Sequence, residues 1–116
     1  MKRTLLILVI VLASCTVPQN KNIEVLVENL EVPWAIAFLP DGSFLFTERN
    51  TGNVYHYENG TAENIGNLKS KWTGEGGLSG IAVDPDFDNN KYVYVYYLYD
   101  GRYEKNFNRV SRFEYK

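Results

Sequence analysis

The residue best placed by type to do chemistry is a carboxylate set among glycines, in Gly74-Glu75-Gly76-Gly77-Leu78. Glycine admits positive φ and lets a second backbone or a ligand approach closely. From the residues alone a solvated loop carboxylate is the plainer reading, because a binding site needs a supporting shell. His56 is the sole histidine. It lies in the alternating run Val54-Tyr55-His56-Tyr57 with no acidic neighbour to form a dyad, which favours a structural role over that of a base. Asp84, Asp86 and Asp88 occupy alternate positions, as in a calcium loop. That loop requires Gly at its sixth position and Glu at its twelfth, and Asn89 and Val95 stand there. An acidic turn whose side chains bond their own backbone is expected instead.

Trp34 and the ladder Tyr92, Tyr94, Tyr96 could stack on sugar rings, but aromatics at alternate positions more often pack one sheet on the next. Glu48-Arg49 reads as a charged strand end. Asn59-Gly60-Thr61 fits a glycosylation acceptor and equally a tight turn. Cys15 is the only cysteine, so the chain forms no internal disulfide and no cysteine metal cluster.

These residues must be held by strands. Apolar alternation marks strands at Ile23 to Val27, Ala35 to Leu39, Ser43 to Glu48, Asn53 to Glu58, Thr61 to Ile65, Leu78 to Val83, Tyr92 to Tyr99 and Arg109 to Tyr115. Pro40-Asp41-Gly42, Asn50-Thr51-Gly52-Asn53, Asn59-Gly60 and Asp88-Asn89-Asn90 punctuate them. No stretch carries a helical period, so the chain is all-β. Ala35 to Gly42 can be laid over Gly80 to Phe87, with Pro40 and Pro85 standing 45 residues apart. A repeat of roughly 40–50 residues holding several short strands is the mark of β-propeller blades. The second to fifth strands form one four-stranded blade and the next three a second. Ile23 to Val27 suits the closing strand of a last blade, and Tyr92 to Tyr99 is expected near an unpaired edge.

In order and spacing, Val32-Pro33-Trp34-Ala35-Ile36-Ala37-Phe38-Leu39-Pro40-Asp41-Gly42, then Thr47-Glu48-Arg49, then Gly74-Glu75-Gly76-Gly77-Leu78 through Asp84-Pro85-Asp86-Phe87 resemble the opening of the pyrroloquinoline quinone-dependent sugar dehydrogenases. This glucose/sorbosone dehydrogenase family includes the aldose sugar dehydrogenases. The likeness spans residues 23–116; Ser79 departs from it, where the family often carries an apolar residue. The resemblance implies a partial β-propeller, about two blades of a six-bladed fold, within an N-terminal fragment. It implies that Glu75 binds substrate, accepting hydrogen bonds from an aldose or steering it over the quinone. The complete enzyme would oxidise sugars to lactones, using pyrroloquinoline quinone and calcium. The family's catalytic histidine, calcium ligands and quinone-gripping cations match nothing in this chain, so the fragment alone is expected to bind no cofactor and to be inactive. The alternative is a non-catalytic cell-surface propeller that binds glycans or proteins.

Met1-Lys2-Arg3-Thr4, the apolar run Leu5 to Ala13, and Ser14 form a signal peptide over residues 1–14. Leu12-Ala13-Ser14-Cys15 resembles a bacterial lipobox, with Cys15 as the lipidated residue, and residues 15–22 form a polar tether before the folded unit 23–116. The expected location is the cell envelope, lipid-anchored at the outer membrane or cell surface, with the membrane as partner through that lipid. A net charge of −2, with no basic run, argues against nucleic acid. Blades with an uncovered face leave an oligomer or aggregate open to the isolated fragment.

Overall fold

The computed structural model describes residues 22–101 and 105–116. The leader 1–14, Cys15 and nearly all of the tether lie outside the described residues. Four strands, β1 (Pro33–Phe38), β2 (Phe44–Glu48), β3 (Asn53–Glu58) and β4 (Thr61–Asn67), form an antiparallel sheet in chain order. Three more, β5 (Leu78–Val83), β6 (Tyr92–Asp100) and β7 (Asn106–Glu114), form a second. Two consecutive antiparallel meanders, each built from adjacent strands, reproduce the two expected blades.

Strand alternation assigns the faces. In β2, Leu45 and Thr47 turn toward the second sheet while Phe44 and Phe46 turn away, and every residue of the strand is buried. β5 lies against β1 and β2. Between the sheets Leu39, Leu45 and Val54 meet Leu78, Phe87, Val93, Val95 and Tyr97 in one core. Leu45 and Leu78 are 1% and 0% exposed, and burying a leucine fully stabilises by about 1.5–3 kcal/mol. The outward face of the first sheet is aromatic. Phe44 stacks on Tyr57 at 4.6 Å, Phe46 on Tyr55 at 4.9 Å, and Phe38 meets Phe44 edge-on.

Three expectations change. Ile23 to Val27 is not a strand; it runs extended and largely exposed, sharing a groove with Trp34, Ile36, Phe44 and Phe46. An alternating pattern becomes a strand only where a ladder partner exists, and none does here among the described residues. β6 is not at an edge, because β5 and β7 pair with it on both sides and leave β7 as the edge. The acidic turn holds one helical turn, α1 (Phe87–Asn90), closed by Lys91 at φ 55°. Four residues are too few to show a period. No helix among the described residues is long and apolar enough to cross a membrane.

The antiparallel connections sort the loops by end. The β2–β3 turn, the connection Leu68–Gly77 and the paired ends of β6 and β7 at Asp100 and Asn106 share the upper end. The Pro40–Gly42 and Asn59–Gly60 turns and α1 share the lower.

Candidate functional site at the upper end

Glu75 projects from the glycine loop with its side chain 90% exposed, and its Oε2 accepts a hydrogen bond from Arg49 Nη1 at 3.1 Å. Arg49 follows β2 and is enclosed, its side chain only 13% exposed. Its guanidinium carbon lies 4.7 Å from the Trp34 ring centroid, and its Nε donates to Asn50 Oδ1 at 3.2 Å. The backbone of Arg49 is tied down as well. Its N–H donates to the Val32 carbonyl, and its carbonyl accepts from Leu78 N–H, each at 3.0 Å. Val32 is β-branched yet holds φ at 51°, a conformation such residues rarely adopt and that neighbouring contacts must enforce.

The glycines have a steric reason. Gly77 sits at φ 141°, and a Cβ there would collide with the Arg49 carbonyl; a Cβ on Gly76 would collide with the Leu98 side chain. Bonds from Leu98 N–H to the Gly77 carbonyl and from Lys71 N–H to the Leu98 carbonyl fasten the loop to β6. Lys71 Nζ also pairs with Asp100 at 2.8 Å.

Glu48 is the charged strand end its sequence suggested, but an enclosed one. It is 4% exposed, and Glu31 N–H, Thr51 Oγ1, Asn53 Nδ2 and Tyr55 OH all donate to its carboxylate at 2.7–3.3 Å. Burial pushes its carboxyl pKa upward, but those donors outweigh burial and hold it below its ordinary value. Glu48 therefore ties the segment before β1 to the β2–β3 turn. Alternating polar residues at 51 and 53 were the only signal of this in the sequence.

The remaining candidates are structural and mostly at the lower end. Asp84 accepts from Asp86 N–H, Asn90 Nδ2 and Tyr94 OH, as expected of an acidic turn. The Asn90 and Tyr94 donors in particular hold its carboxyl below the usual range. His56 is occupied on both nitrogens. Ser43 Oγ donates to Asp41 at 2.6 Å and so accepts from His56 Nε2 at 2.9 Å, which leaves Nδ1 to accept from Tyr115 OH at 3.2 Å. That network assigns the tautomer and joins the two sheets. Asn59 and Gly60, both at positive φ, form the tight β3–β4 turn. Tyr92, Tyr94 and Tyr96 do not pack between the sheets; their alternates Val93, Val95 and Tyr97 do. Tyr92 instead lies under Arg112, while Tyr96 is exposed. Trp34 carries Arg49.

Among the described residues no group of three or more His, Cys, Asp or Glu converges. Of the upper-end cations, Arg49 and Lys71 are each already paired with a carboxylate. The carboxylates do not converge as calcium ligands must, and these two paired cations are not free to grip a quinone's carboxylates.

Two stacked four- and three-stranded meanders with a tethered carboxylate loop at one end define a segment of a β-propeller. The family profile described as "Glucose / Sorbosone dehydrogenase" matches residues 30–116, and the chain belongs to that family. It is 31% identical over 83 residues to an aldose sugar dehydrogenase of Escherichia coli, a match covering 69% of this chain and 22% of that protein. It is 33% identical to quinoprotein glucose dehydrogenase B of Acinetobacter calcoaceticus, across 66% of this chain and 17% of the relative. Among solved structures, the PQQ-bound aldose sugar dehydrogenase of Streptomyces coelicolor superposes with a TM-score of 0.72 at 29% identity, over 80% of this chain and 27% of that one. The chain thus spans about a quarter or less of the relatives it matches.

Proposed function

We propose that this chain is the N-terminal part of a lipid-anchored quinoprotein aldose or glucose dehydrogenase, and that Glu75 contacts the sugar. The observation that carries this reading is the geometry of Glu75, an exposed carboxylate tethered through one oxygen at the end where the glycine loop joins two consecutive blades. Oxidising a sugar at its anomeric carbon to a lactone requires removal of a hydroxyl proton and of a hydride. Glu75 supplies acceptors for sugar hydroxyls. His56, with both nitrogens engaged, has no free position for taking the proton. The base, the calcium ligands and the quinone cradle are then contributed by segments outside this chain.

Residues 15–116 supplied with pyrroloquinoline quinone, calcium, glucose and a dye acceptor should give no turnover above buffer. Sugar-dependent dye reduction by that chain would show that the catalytic groups have been placed wrongly. The anchor is tested separately. Expressed with its leader in a bacterium, the protein should incorporate labelled fatty acid and lose the label on Cys15→Ser, whereas label retained by the variant would refute the anchor.

A further inference from the structure

We propose that Arg49 is a positioning residue that fixes the carboxylate of Glu75 for sugar binding through its stack on Trp34 and its fork between Asn50 and Glu75. The inference rests on the reading of Glu75 as the sugar-contacting group.

An ion pair between two exposed side chains contributes little and fixes no geometry. This pair differs because one partner is enclosed. Arg49 is 13% exposed against 90% for Glu75, so the guanidinium is the fixed member and the carboxylate the tethered one. Trp34 holds the guanidinium at 4.7 Å, and Asn50 Oδ1 takes its Nε while Nη1 is directed to Glu75 Oε2. A planar fork can serve two acceptors and an aromatic face at once, which an ammonium cannot. The backbone of residue 49 acts on the same loop, since its carbonyl accepts from Leu78 N–H and packs where Gly77 lacks a side chain. Residue 49 thereby sets both the path of the loop and the direction of its carboxylate. With Oε2 held, Oε1 has no protein partner among the described residues and is the atom offered to a sugar hydroxyl.

The backbone and side-chain contributions separate in Arg49→Lys, which keeps the carbonyl, the charge and most of the stem but loses the fork. Amide hydrogen exchange across Gly76–Leu78, measured on the full chain, should stay within about twofold of wild type in this variant. In the complete quinone-loaded enzyme the same variant should raise the aldose KM about tenfold with kcat nearly unchanged. Glu75→Ala should raise KM to a similar extent, and the double variant should be no worse than Glu75→Ala alone. A raised KM in Glu75→Ala beside an unchanged KM in Arg49→Lys overturns the positioning role and leaves the reading of Glu75 standing. Additive effects in the double variant, or faster exchange across Gly76–Leu78 in Arg49→Lys, also overturn it, by making Arg49 an independent or merely structural residue. An unchanged KM in Glu75→Ala overturns the role of Glu75 and that of Arg49 with it.

Discussion

Glu48 and Glu75 sit at the same end of the molecule, one turn of chain and one glycine loop apart, in opposite surroundings. Glu48 is 4% exposed and accepts four hydrogen bonds; the side chain of Glu75 is 90% exposed and accepts one. A carboxylate whose lone pairs are filled by its own protein holds the fold and has nothing to offer a ligand. One tethered through a single oxygen contributes little to folding and keeps an acceptor free. Arg49 connects the two, adjacent to Glu48 in sequence and bonded to Glu75 in space. The end of the molecule is therefore rigid under Glu48 and open at Glu75.

The largest test of this contrast is Glu48→Ala, which strands a backbone N–H, a hydroxyl, an amide and a phenol. It should cost about 3 kcal/mol in urea unfolding, and a loss below 1 kcal/mol would mean that water replaces the carboxylate. Because the folded pKa of Glu48 lies below its ordinary value of 4.5, its contribution is present above that pH and lost as pH falls through the folded value. Glu48→Gln should flatten the stability profile in that window. Gly77→Ala, forced to φ 141° against the Arg49 carbonyl, should cost about 2 kcal/mol; wild-type stability there would show that the loop does not need its close approach to β2. The smallest effect belongs to Glu75→Ala, within about 0.5 kcal/mol of wild type. A larger loss would erase the distinction between the two carboxylates.

Alternation alone placed β1 to β7 within a few residues of their observed limits, and the repeat built on Pro40 and Pro85 grouped them into the correct two sheets. Both signals are patterns of residue type along the chain, and stacked strands must display them. Ile23 to Val27 displays the same alternation without a ladder, because pairing depends on a partner that local pattern does not specify. The enclosure of Glu48 was not legible for a related reason. Its donors come from residues 31, 51, 53 and 55, which converge only after the segment before β1 folds back onto the turn. Glu75 lies exposed in a loop, as its glycine neighbours suggested. Its partner Arg49 lies 26 residues away, beyond the reach of any spacing rule.

The bond between His56 and Tyr115 has a consequence for the order of folding. It closes a separation of 59 residues. On a ribosome, the first sheet can pair all four of its strands while residue 115 is still inside the exit tunnel, because its contacts are between neighbours in the chain. The bond to His56 must wait for residue 115 to emerge. Until then His56 has Ser43 as its partner and its second nitrogen open to water, so the register of the first sheet can be set before this bond is made.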